Sequence, residues 1–155
     1  GSNEQVAGLA EVPAAVARYL TQNGLPLQAV CWPELAPLDW AGARLQVEAR
    51  AAQGHDKVGI TGVYCAIAET GTLMLLSGEH THPVTSLLPE THIAVVPAAR
   101  VLPSMEDGWD LLRRKHGPLP RQVAFVSGPS RTADIEMTLV LGIHGPYRVH
   151  IIIVA

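Results

Sequence analysis

Two short stretches of this sequence hold residues whose types and spacing suit chemistry. The first is Ser127-Gly128-Pro129-Ser130-Arg131-Thr132-Ala133-Asp134-Ile135-Glu136. An apolar run over 123–126 precedes it and reads as a buried strand, and the apolar spacing that follows, over 133–142, reads as a helix. Between them Gly128 and Pro129 force a turn, Ser130 or Thr132 caps the helix, and Asp134 falls in its first turn, where a carboxylate suits the positive end of the helix dipole. Backbone N–H groups at such a helix start, two hydroxyls and the Arg131 guanidinium would together hold a phosphate or carboxylate. The same residues also fit a purely structural role, a capped helix with an Arg131–Asp134 ion pair. Local physics favours that second reading, because strand-to-helix turns are common and most bind nothing.

The second stretch is Glu69-Thr70-Gly71-Thr72, a carboxylate set between an apolar strand and a turn. Held at a cleft, Glu69 would serve as nucleophile or base; in the plainer reading it is a hydrogen-bonded turn residue. Of the seven histidines, His80 and His82 share one loop, but a pair two apart without carboxylate or thiol partners is a weak metal signal, and no metal site is expected. His144 follows the helix of the first stretch and either points back to its end or partners its C-terminal dipole. The sequence contains no Walker spacing, no Gly-x-Gly-x-x-Gly after a strand and no Gly-x-Ser-x-Gly elbow, so nucleotide and serine-hydrolase chemistry lose their usual signatures.

A chain of 155 residues with 48% apolar and 16% charged residues suits one packed domain over 1–155, and a net charge of -3 gives no basic footprint for nucleic acid. Cys31 and Cys65, the two cysteines, stand far apart, which argues against a disulfide framework or zinc site and suits reduced thiols in the cytoplasm. Two thiols cannot ligate a four-cysteine iron–sulfur cluster. The long apolar tract over 58–76 is broken by the Glu69–Thr72 turn, so no membrane span is expected. Gly1-Ser2 is the kind of pair that cloning leaves at a chain start, and it carries no weight in the fold reading.

The elements that must position these residues alternate along the chain. The spacing predicts a helix over 11–23, stopped by Asn23-Gly24, and a short strand over 27–32. Pro33 and Pro37 then mark an irregular crossing, with Trp32 and Trp40 as packing residues. Over 41–52 strand-like alternation competes with helix-forming composition, and a helix is expected after a strand in an α/β chain. A β-hairpin is expected over 58–76 with Glu69 at its bend; Gly59, Gly62 and Gly71 within it point to bulges or to a close approach by a ligand or a neighbouring element. A short helix near 84–88, a buried strand over 91–96, a helix over 105–115 with Trp109 and Leu112 on one face, a strand over 121–126 and a last strand over 148–154 complete the order. This is a layered α/β fold with a mixed sheet and flanking helices.

Taken in order, Ala68-Glu69-Thr70-Gly71-Thr72, Ser86-Leu87-Leu88-Pro89, the 127–136 stretch and Gly142-Ile143-His144-Gly145-Pro146 strongly resemble the LUD domain, specifically the lactate utilization protein C family. The resemblance runs from residue 58 to the end, while 1–57 match poorly, as if N-terminal family sequence were missing or divergent. It implies a fold similar to the glucosamine-phosphate isomerase, ribose-phosphate isomerase and CoA transferase group. It also implies a component of a bacterial system that oxidises L-lactate to pyruvate, a subunit rather than a self-sufficient catalyst, with iron–sulfur clusters on partner proteins and no cofactor on this chain. With it, Glu69 becomes a catalytic candidate, and Thr70, Gly71, Thr72, Ser127, Gly128, Ser130, Arg131, Thr132 and His144 become candidates for binding a small anion. The family's arginine just before Ser-Leu-Leu-Pro is absent here, where the sequence reads His80-Thr81-His82, so any anion contact made by that arginine loses its residue. The alternative is an enzyme or binding domain for a small carboxylate or phosphate on a CoA transferase-like fold.

Overall fold

Buried runs such as Val58–Thr61 and 91–96 need cover on both faces, and two stacked sheets with helices packed against them provide it. The structure is a computed structural model that describes residues 2–115, 123–126 and 148–155. Its elements in chain order are β1 (Ser2–Val6), α1 (Val12–Gln22), β2 (Gln28–Cys31), β3 (Gln46–Ala49), β4 (Val58–Thr61), β5 (Cys65–Ile67), β6 (Thr72–Leu76), α2 (Val84–Leu87), β7 (Thr91–Pro97), β8 (Val101–Leu102), α3 (Met105–Lys115), β9 (Val123–Val126) and β10 (Arg148–Val154). A six-stranded sheet in the order β1-β10-β7-β4-β2-β3 is parallel throughout. A four-stranded sheet in the order β8-β5-β6-β9 is mixed.

Side chains alternate across each strand, and the alternation sorts the core into three layers. Val58, Ile60, Ile93, Val95 and Ile152 face Val16 and Leu20 of α1, together with Leu35 and Trp40 from the connection between β2 and β3. On the opposite face of the parallel sheet, Ala94, Val96 and Val149 meet Ala66, Leu73, Leu75, Ala124 and Val126 of the second sheet. The far side of that sheet, with Cys65, Ile67 and Met74, is covered by Trp109 and Leu111 of α3. Each fully buried Ile or Leu in these layers contributes about 1.5–3 kcal/mol of transfer free energy.

Most local expectations hold. α1 stops at Asn23, and Gly24 (φ 64°) supplies the left-handed residue after it. Trp32 and Trp40 are buried, and their indole N–H groups donate to the His82 and Leu35 carbonyls at 3.1 and 2.9 Å. Two expectations do not hold. Residues 46–49 form a strand, not part of a helix: the helical turn Ala41–Ala43 ends at Arg44, which is left-handed (φ 64°), and β3 then pairs with β2 from Gln28↔Gln46 to Cys31↔Ala49. Sheet pairing outweighs the helix propensity of Ala and Arg there. Residues 58–68 do not run as one hairpin arm, because β4 ends before Gly62 and joins the parallel sheet while β5 turns into the second sheet. The polar segment 2–6 gives no apolar pattern, yet it forms an edge strand on β10. His150 secures it: Nδ1 lies 2.6 Å from Ser2 Oγ, Nε2 lies 3.0 Å from Glu4 Oε2, and the ring stacks on Tyr19 with centroids 4.1 Å apart.

Candidate functional site

The bend between β5 and β6 is fixed by its backbone. Gly71 N–H donates to the Ile67 carbonyl at 2.8 Å, and Gly71 adopts φ 67°, a conformation that glycine takes without steric cost. Ala68 and Glu69 donate their N–H groups to the Leu102 and Pro103 carbonyls at 2.8 and 3.2 Å, which ties the bend to the strand end beside it. Thr70 Oγ1 donates to Thr72 Oγ1 at 2.7 Å. Glu69, Thr70 and Gly71 are exposed and Thr72 is buried, so the bend presents a solvent-facing carboxylate on a rigid support.

Strand register brings Val126, the described residue that precedes the second candidate stretch in sequence, beside this bend. β9 pairs with β6 so that Leu73 faces Val126, the residue just before Ser127 and one position from Thr72 in the pairing. Ser127, Gly128, Ser130, Arg131, Thr132 and His144, with the helix expected over 133–142, lie outside the described residues.

A second feature arises from topology alone. The chain leaves β2 toward the outer strand β3 and leaves β4 in the opposite direction, toward β7, so the sheet order reverses between β2 and β4. Ligands of open α/β sheets favour the crevice at the carboxyl ends of such a pair. Here the crevice holds Glu34 and Gly62: a Cβ on Gly62 would meet Glu34 Oε1 at 2.3 Å, so only glycine lets the carboxylate lie there. Burial pushes the Glu34 carboxyl above its ordinary range. The sequence reading missed Glu34; the glycine signal at Gly62 was there, but its neighbour came from the helical turn after β2, far off in sequence.

His92 was missed as well, inside the apolar run His92-Ile93-Ala94-Val95-Val96. It is fully buried, Nε2 lies 2.8 Å from Thr61 Oγ1, and burial pushes its pKa down to about 4. Neither His80 nor His82 joins a ligand group: among the described residues no three His, Cys, Asp or Glu side chains converge as a metal site. The two thiols are both buried but in separate layers, Cys31 beside α1 and Cys65 beside α3, and burial pushes Cys31 up to about 11. A cleft of about 440 Å³ lies apart from all these groups, lined by Gln28, Gln46, Glu48, Arg50, Asp56 and Lys57. Arg50 holds Asp56 through two bonds of 2.8 and 3.0 Å there, which keeps the Asp56 carboxyl below its ordinary range.

With this architecture in place, the LUD domain model matches residues 23–154. The chain belongs to the LUD domain family. Among similar proteins, Lactate utilization protein C of Bacillus subtilis is 36% identical over 129 residues, covering 80% of this chain and 53% of that protein. Lactate utilization protein C of Halalkalibacterium halodurans is 41% identical over 116 residues, covering 73% of this chain and 49% of that protein. Lactate utilization protein C 1 of Bacillus mycoides is 42% identical over 122 residues, covering 74% and 50%. This LUD chain thus spans about half the length of the curated relatives it matches. A crystal structure of a DUF162 family protein from Deinococcus radiodurans superposes with a TM-score of 0.70 at 26% identity, covering 100% of this chain and 88% of that one. The layered α/β expectation is met by the fold and by this likeness. Among the described residues no helix is long and apolar enough to cross a membrane.

Proposed function

We propose that this LUD domain is a lactate utilization protein C-like component of a system that oxidises L-lactate to pyruvate. The observation that carries the reading is the shared name of relatives 35–42% identical to the chain. The oxidation removes two electrons and two protons from the hydroxyl-bearing carbon and its oxygen, and the electrons pass to iron–sulfur clusters on partner proteins. The separation of Cys31 and Cys65 into different core layers supports that division of labour, since those thiols do not converge on one cluster. Two unpaired, buried thiols also suit the cytoplasm. The chain's own part is to bind a small anion, with Glu69 as the acid–base candidate and Thr70, Gly71, Thr72, Ser127, Gly128, Ser130, Arg131, Thr132 and His144 as binding candidates. The register that sets Val126 beside the hairpin bend supports grouping them.

The test compares the isolated protein with the complex reconstituted from its iron–sulfur partners. Lactate-dependent dye reduction is expected only from the complex, and its loss is expected in Glu69→Ala and Arg131→Ala. Dye reduction by the isolated protein overturns the subunit reading; unchanged activity in both variants overturns the assigned site. A second reading, an enzyme or binding domain for a small carboxylate or phosphate, rests on the layered α/β fold. It is favoured if lactate, pyruvate, phosphate or CoA raises the Tm of the isolated chain, because a ligand bound only by the folded state must stabilise it.

A further inference from the structure

The interior between α2 and the β4–β7 pair contains polar atoms that no described protein group matches. Gly59, Thr61 and His92 share the face of the parallel sheet that looks toward α2 and the second sheet, because Val58, Ile60 and Ile93 fill the other face. Gly59 is the register partner of His92, on a neighbouring strand about 4.8 Å away. Having no side chain, Gly59 admits α2: the Thr85 carbonyl oxygen lies 2.1 Å from where a Gly59 Cβ would stand, and Pro89 Cγ lies 3.1 Å from it. The α2 backbone at Thr85 therefore packs on the β4 position that neighbours His92.

Three polar groups belong to this neighbourhood. His92 is fully buried, and while its Nε2 is engaged by Thr61 Oγ1 at 2.8 Å, no donor or acceptor among the described residues reaches its Nδ1. Thr85 is fully buried too, and its Oγ1 is likewise unmatched by any described protein group. The Thr85 carbonyl has lost its helical partner by sequence, because the residue four positions on is Pro89, which has no N–H. An unmatched buried polar atom is costly, and native interiors resolve such groups with ordered solvent when the site is polar and offers two to four partners. Thr91 Oγ1 is also unmatched among the described residues, but Thr91 alternates onto the other face with Ile93 and belongs to a different environment.

We propose that this place is an internal binding site for one water molecule, held between His92 Nδ1 and Thr85 Oγ1 with the Thr85 carbonyl as a further acceptor. A water there balances either tautomer of His92, accepting from an Nδ1–H or donating to a bare Nδ1, so the site needs no charge on the ring. It makes α2 a solvent-bridged element, docked on β4 through Gly59 and on β7 through the water.

The substitution Thr85→Val separates the bridged hydroxyl from an orphaned one. Valine keeps the shape and removes the polar atom, so the urea midpoint falls if the hydroxyl holds a water against His92. An unchanged or raised midpoint overturns the proposal, because removing an unpaired buried hydroxyl relieves a penalty. A crystal structure of the unsubstituted chain supplies the second reading. Solvent density within about 3 Å of both His92 Nδ1 and Thr85 Oγ1 is expected; a protein group in that place, or no density, overturns it.

Discussion

His92 makes the stability of this LUD domain depend on pH, with a sign and size that follow from its burial. In the unfolded chain the imidazole titrates at its ordinary 6.5; in the folded chain burial holds it down to about 4. Between those values the unfolded state binds a proton that the folded state refuses, so stability is complete above 6.5 and is lost as pH falls toward 4. Two and a half pH units at about 1.4 kcal/mol each, reduced slightly by half-protonation of the folded state at the lower limit, come to roughly 3 kcal/mol. Carboxylates and His150, which burial also pushes down against the opposing pull of Glu4, titrate in the same window, so the unsubstituted protein alone does not isolate the effect. The assay is urea unfolding at pH 7 and pH 4 for the unsubstituted chain and for His92→Gln, which does not titrate. At pH 7 the variant is expected to be the less stable protein, and on acidification it is expected to lose roughly 3 kcal/mol less. Parallel losses in the two proteins would refute the reasoning, since they would mean that His92 takes up its proton in the folded state as readily as in the unfolded one.

Gly59→Ala is expected to destabilise by about 1–3 kcal/mol or more, because the new methyl meets the backbone carbonyl of Thr85, which cannot rotate away; urea unfolding reads the loss. Gly71→Ala puts a methyl into open space but keeps φ 67°, so only a conformational cost of about 1 kcal/mol is expected, by the same measurement. Leu73→Ala empties a fully buried position between the two sheets and is expected to cost about 2–5 kcal/mol, seen as a lower Tm and urea midpoint. Glu69→Gln, at an exposed bend, is expected to leave the unfolding free energy from urea titration within about 0.5 kcal/mol of the unsubstituted value while abolishing lactate oxidation by the reconstituted complex.

The sequence by itself determined the pieces whose signals are local. The helical face of Val12, Val16, Tyr19 and Leu20, its stop at Asn23-Gly24, the apolar run of β7 and the left-handed Gly71 of the bend are each specified within a few residues, by periodicity or by a backbone conformation one residue type tolerates best. The candidate stretches at Glu69–Thr72 and 127–136 were legible for the same reason, since a motif is a local pattern. Tertiary structure decided whatever depends on partners distant in sequence. β1 exists because His150, more than a hundred residues later, binds Ser2 and Glu4; β3 is a strand because β2 offers it a ladder; residues 58–68 divide between two sheets at Gly62. The crevice at Glu34, the neutral His92 and the approach of α2 to Gly59 belong to the same class. Burial, hydrogen-bond matching and close approach are properties of pairs, and a one-dimensional pattern records only one member of each pair.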